Sequence, residues 1–188
     1  MTRRLLGLLV SALALPSAAS AGVPETVYLA SADGRAEIVG YLFAPTASGP
    51  HPAIVLLHGR GGPYSANVNE DCTLVARSIK SPCNASTLSK RHRMWGEYWA
   101  ERGYLALHVD SFGPRGYAQG FAIHSYKNRP AAVSEQTVRP LDAYGALEYL
   151  RSRGDVIADR IGVQGWSNGG MTVLAALADN APGIAQQF

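Results

Sequence analysis

The sequence is short of cysteine, of long apolar runs and of unbalanced charge, and its last third holds no histidine. Each shortage excludes something. The N-terminal apolar run, Leu5 to Leu15, falls below the roughly 20 residues that a membrane-spanning helix needs. Arg3 and Arg4 precede that run and the small-residue site Ala19, Ser20, Ala21 follows it, so Met1 to Ala21 reads as a secretory signal peptide rather than a stable membrane anchor. The expectation is export to a periplasmic or extracellular compartment after cleavage near Ala21, with residues 22–188 forming the domain.

Of the 17 basic residues, Arg3 and Arg4 leave with that leader; the remaining 15 face 14 acidic residues, a net charge of +1. No nucleic-acid or membrane-surface partner is implied. The two cysteines, Cys72 and Cys83, then fall in an oxidising compartment, where a disulfide is the expected state and two free thiols the alternative. Closing so short a loop stabilises by roughly 3 kcal/mol in the chain-entropy picture. Metal binding is disfavoured, because no nearby His or Cys completes a ligand set. With 47% hydrophobic and 16% charged residues, the chain is globular rather than disordered.

What is present is organised around a stretch near the end. Arg160 to Gln164 reads as a strand, and it is followed by Gly165, Trp166, Ser167, Asn168, Gly169 and Gly170. A G-x-S-x-G pattern between a strand and a helix is a nucleophile elbow. Ser167 must occupy a tight, strained turn, and side chains two residues to either side would strike neighbouring backbone, which Gly165 and Gly169 avoid. The following helix turns free N–H groups and its positive end towards a developing oxyanion.

The rest of the chain supplies the frame. Thr26 to Ser31 and Ala36 to Ala44 alternate in polarity around Asp33 and Gly34, as in a hairpin with an Asp-Gly turn. Ala53 to Leu57 is a continuous apolar run suited to a buried parallel strand, broken by His58, Gly59, Arg60, Gly61, Gly62 and Pro63. Tyr64 to Ser89 is irregular and holds both cysteines. Ser89 caps a predicted helix from Lys90 to Arg102, with Met94, Trp95, Tyr98 and Trp99 on one face. A second buried strand, Tyr104 to Val109, ends in Asp110 to Gly116. A helix from about Val138 to Arg153 carries Pro140 in its first turn and an apolar stripe of Ala143, Ala146, Leu147 and Leu150. The last helix runs from Asn168 to about Leu177, closed by Asp179 and the residues after it.

Strands alternating with helices after a hairpin predict an α/β fold with a mainly parallel sheet. All three unusual loops, after Leu57, Val109 and Gln164, lie at carboxyl ends of strands, where such sheets bind ligands. Two oxyanion donors are expected: the N–H of Asn168 and, from the glycine-rich loop, the N–H of Arg60.

A serine nucleophile also needs a base and an acid that orients it. After Ser167 come only Asp179 and no histidine. His51, His58, His92, His108 and His124 all precede it; structural or surface roles are expected, with His124 the remaining substitute base. Asp110 is expected to pair with Arg115. No strand-helix unit follows the elbow, so the strand carrying Ser167 should form a sheet edge, and 22–188 reads as the N-terminal part of a larger domain whose C-terminal strands are missing.

With these motifs in place, the chain resembles the exported members of the dienelactone hydrolase family of α/β-hydrolases. The resemblance runs over about 36–177 and rests on Leu57 to Gly62, on Gly103 and Tyr104 leading to Asp110 to Gly116, on Asp142 to Leu150 and on Arg160 to Gly170. It implies an ester or lactone hydrolase acting through an acyl-enzyme on a small-molecule substrate, without metal or organic cofactor. The founding members use a cysteine nucleophile; Ser167 points instead to general carboxylesterase chemistry. The rival expectation is a truncated or non-catalytic protein that keeps the fold.

Overall fold

The computed structural model describes residues 22–68, 70–178 and 180–181. The signal peptide over Met1 to Ala21 and the helix-closing role of Asp179 lie outside the described residues. Five strands form one sheet: β1 (Glu25–Ala30), β2 (Glu37–Phe43), β3 (His51–Leu57), β4 (Leu105–Asp110) and β5 (Val156–Gly165), in the order β1-β2-β4-β3-β5. β1, β2 and β4 pair antiparallel, while β4, β3 and β5 run parallel. The expected α/β-hydrolase-like arrangement, a mainly parallel sheet behind an N-terminal hairpin, is therefore present.

The three helices are α1 (Lys90–Ala100), α2 (Arg139–Arg151) and α3 (Asn168–Ala176). On one face of the sheet, Ile38, Leu42, Val55, Leu107 and Val109 pack against Ala143, Ala146 and Leu150 of α2 and Val173 of α3. On the other, Tyr41, Phe43, Ile54 and Leu56 meet Trp95 and Trp99 of α1 together with Cys72 and Cys83. β3 and β4 are buried on both faces, which is why Ala53 to Leu57 reads as unbroken hydrophobicity. β5 lies at the edge, with Ala158, Asp159, Arg160 and Gly162 exposed.

Three local expectations are corrected. The hairpin loop is longer than a two-residue turn: Ser31 N–H donates to Ala36 O across it, and Gly34 supplies φ +68°. The inner face of α1 is His92, Gly96, Trp95 and Trp99, whereas Met94 and Tyr98 are largely exposed. Gly96 sets that face, because a β-carbon there would fall on the Phe43 ring. The strand with the elbow begins at Val156, four residues before the expected start.

Candidate active site

The chain passes from β5 into α3 through one strained residue. Ser167 has φ 52° and ψ −118°, a left-handed backbone that a non-glycine residue holds at a cost of about 1–3 kcal/mol. The turn is held by Trp166 N–H donating to Leu57 O (3.2 Å), Gly169 N–H to Trp166 O (2.8 Å) and Met171 N–H to Ser167 O (3.1 Å). A β-carbon on Gly165 would strike the Gly169 backbone, and one on Gly169 would fall on Leu57 O and lie 2.8 Å from His58 O. Both glycines are thus required by close approach, as the pattern predicts. Ser167 itself is exposed at the apex.

The loop after β3 lies against this apex. A β-carbon on Gly59 would stand 3.4 Å from Ser167 Cβ, 4.0 Å from its Oγ and 3.3 Å from Trp166 O. Gly62 closes the loop at φ +72°, and its N–H donates to Gly59 O. Among the described residues, neither the Arg60 N–H nor the Asn168 N–H has an acceptor. The Asn168 amide is an open donor of the first helical turn. Asn168 directly follows the exposed Ser167 and Arg60 directly follows Gly59, the residue that lies against it.

The loop after β4 supports Arg60. Phe121 N–H donates to Arg60 O (2.8 Å), and Arg60 Nη1 donates to Phe121 O (2.7 Å). Asp110 does not pair with Arg115. It accepts from the N–H groups of Phe112 (3.0 Å) and Gly113 (2.8 Å) and from the Tyr64 hydroxyl (2.7 Å), which also meets Tyr41 Oη. Burial raises the Asp110 carboxyl above its ordinary range despite these donors. Arg115 instead grips Asp142 of α2 through two bonds of 2.8 and 2.9 Å, because the short Gly113–Arg115 turn carries it across to that helix.

Among the described residues, no histidine hydrogen-bonds Ser167. His58 is fully buried; its Nδ1 meets Gly59 O at 2.7 Å and its Nε2 accepts from Ser111 N–H at 3.3 Å. Burial, and then the Arg139 charge, hold it well below its usual pKa. His108 Nε2 donates to His92 O (2.8 Å), and the indole of Trp166 stacks on His108 with centroids 5.9 Å apart. Burial lowers His92 to about 4 and holds His108 well below its ordinary value. His124 lies on an exposed turn with φ 64°, and no described contact links it to Ser167. Among the described residues, the Ser167 hydroxyl has no hydrogen-bond partner.

Cys72 and Cys83 form the expected disulfide, with Cα atoms 5.3 Å apart. The stapled loop bears on the site through the β4 loop: Ala118 N–H donates to Thr73 O and Val75 N–H to Gly113 O. A cavity of about 150 Å³ beside it is lined by Tyr28, Tyr41, Val75 and Ile79, not by Ser167. Two site-building residues escape sequence reasoning: Trp166, whose ring anchors the elbow onto α1 and β4, and Arg139, a charge at a helix start that carries no sign of burial.

The prolyl oligopeptidase family matches residues 91–183, just under half of the chain. YtaP of Bacillus subtilis (strain 168), named as a hydrolase, is 29% identical over 165 residues, covering 84% of this chain and 50% of its own length. Among solved structures, a dienelactone hydrolase-like promiscuous phosphotriesterase, P91, from metagenomic libraries aligns over 86% of this chain and 56% of its own (TM-score 0.51, 21% identity). The propionate-bound esterase Est2 of the Planctomycetes species Thermogutta terrifontis aligns over 92% and 53% (TM-score 0.50, 20% identity). These likenesses show the α/β-hydrolase fold, and the chain spans about half the length of the relatives it matches.

Proposed function

We propose, from the α/β-hydrolase fold and the geometry at its β5–α3 turn, that this chain carries the nucleophile of an exported serine hydrolase of the carboxylesterase or lactone hydrolase type. Ser167 attacks the carbonyl carbon of a small ester or lactone, and its proton passes to a base. The carbonyl oxygen becomes an oxyanion received by the N–H groups of Arg60 and Asn168. The intermediate collapses to an acyl-enzyme as the alcohol leaves, and water then releases the acid. Each amide donor contributes about 3 kcal/mol to the barrier reduction.

The observation that carries this reading is the strained, exposed Ser167 lying against Gly59 beside two amides without acceptors. Among the described residues no histidine hydrogen-bonds Ser167, and the roles proposed are those of Ser167 and the two amides alone. The esterase and hydrolase names among the relatives support the reaction class; the Cys72–Cys83 disulfide and the leader-like N-terminus support export.

A second reading, a non-catalytic protein on the same fold, is favoured by the isolation of Ser167 from every described histidine. Incubation with a fluorophosphonate probe separates the two. The first expects one phosphonylated residue, Ser167, and no labelling of Ser167→Ala; equal labelling of both proteins would remove Ser167 as nucleophile.

A further inference from the structure

We propose that Arg139, at the start of α2, is a positioning residue: it fixes the His58–Gly59 peptide and so holds the Arg60 amide towards Ser167. This rests on the serine-hydrolase reading above and adds to it a residue that touches neither substrate nor nucleophile.

Arg139 is completely buried, the largest side chain so enclosed. Its Nη2 donates to His58 O at 2.6 Å, a charge-assisted bond. Among the described residues its Nε and Nη1 have no hydrogen-bond partner, so the bond to His58 O is the one that holds the group. The guanidinium lies 5.0 Å from the centroid of the Phe112 ring, which packs edge-to-face with the His58 ring at 4.5 Å between centroids. Burial lowers Arg139 to about 10, so it stays charged at neutral pH, with Asp142, Glu135 and Asp110 favouring the charge. A buried cation with only one bonded nitrogen is an expensive choice for stability alone, since an apolar side chain would fill the space without desolvation.

The bonded carbonyl is what gives this placement a consequence. His58 O faces Arg139 on one side and the elbow on the other, where a Gly169 β-carbon would stand 2.8 Å away. The next carbonyl, Gly59 O, meets His58 Nδ1, and His58 Nε2 accepts from Ser111 N–H. The two peptides before Arg60 are therefore held through their carbonyls and the His58 ring. Turning the carbonyls inward leaves the Arg60 N–H without a protein acceptor, as an oxyanion donor requires. Without Arg139 the His58 carbonyl loses its only charged anchor and the loop can rotate.

The test compares wild type, Arg139→Lys, Arg139→Met and Arg139→Ala on the full chain. It uses the rate of fluorophosphonate labelling at Ser167 and hydrogen–deuterium exchange over 53–63. The expected result is a fall in labelling rate of about 100-fold for Arg139→Met. Arg139→Lys should recover part of that loss, and millimolar guanidinium should restore labelling to Arg139→Ala but not to Ser167→Ala. Exchange should rise over 58–63 while 53–57 in β3 stays protected. Equal labelling rates in all four proteins, or exchange that rises equally in β3 and the loop without guanidinium rescue, would overturn the role. A wild type that takes no label at Ser167 would instead remove the reading of Ser167, and this role with it.

Discussion

Gly59 lies against Ser167, leaving room for a hydrogen but little for a methyl: a β-carbon on Gly59 would sit 3.3 Å from Trp166 O and 3.4 Å from Ser167 Cβ. That contact joins the loop after β3 to the elbow after β5. Gly59→Ala should push the two apart by a few tenths of an ångström. The expected effect is a slowing of about 10-fold in fluorophosphonate labelling at Ser167, with a melting temperature close to wild type. A labelling time course and a thermal melt check it.

Gly169 and Gly170 are adjacent and should respond oppositely. A β-carbon on Gly169 would fall on Leu57 O, whereas on Gly170 the nearest atom, Gly165 O, is 3.5 Å away. Gly169→Ala should cost about 3 kcal/mol or more, because rigid backbone cannot yield, and Gly170→Ala should be neutral or slightly stabilising within α3. Urea unfolding of the two variants measures the difference.

What could be seen in the sequence follows from which forces are local. The elbow was legible because the close approach of Gly165 to Gly169 is demanded by the turn itself, and the α2 stripe of Ala143, Ala146, Leu147 and Leu150 because periodicity reports a buried face. The face of α1 differs from the one its aromatic residues suggest, because they mark a buried side only on average and the space near Phe43 is decided by Gly96. Arg115 pairs with Asp142, 27 residues away, rather than with its sequence neighbour Asp110, because the fold and not chain proximity sets its partner. Arg139 was invisible, because nothing in a helix start says that an arginine there will be enclosed.

Acid should destabilise the fold through His92. Folded His92 takes up its proton only near pH 4, whereas the unfolded chain binds it near the ordinary value of 6.5. Between these the unfolded state holds more protons, so the contribution is complete above pH 6.5 and is lost as pH falls towards 4, about 3 kcal/mol in all. His92→Gln should show a shallower loss over that window. The difference between the two urea-unfolding series isolates His92 from the other buried groups.

The Cys72–Cys83 bond should matter to stability more than its exposed loop suggests, since both sulfurs lie in the core cluster with Tyr41 and Tyr64. Cys72→Ser with Cys83→Ser should lower unfolding free energy by about 3 kcal/mol. Chemical denaturation with and without reductant checks this; reductant should leave the double variant unchanged.

The proposed chemistry depends on the Ser167 hydroxyl, and peptide mapping by mass spectrometry after fluorophosphonate treatment tests this most directly. The expected result is a single adduct on the Ser167 peptide, slowed in Gly59→Ala and absent in Ser167→Ala. An adduct on any other residue, surviving Ser167→Ala at the wild-type rate, would contradict it.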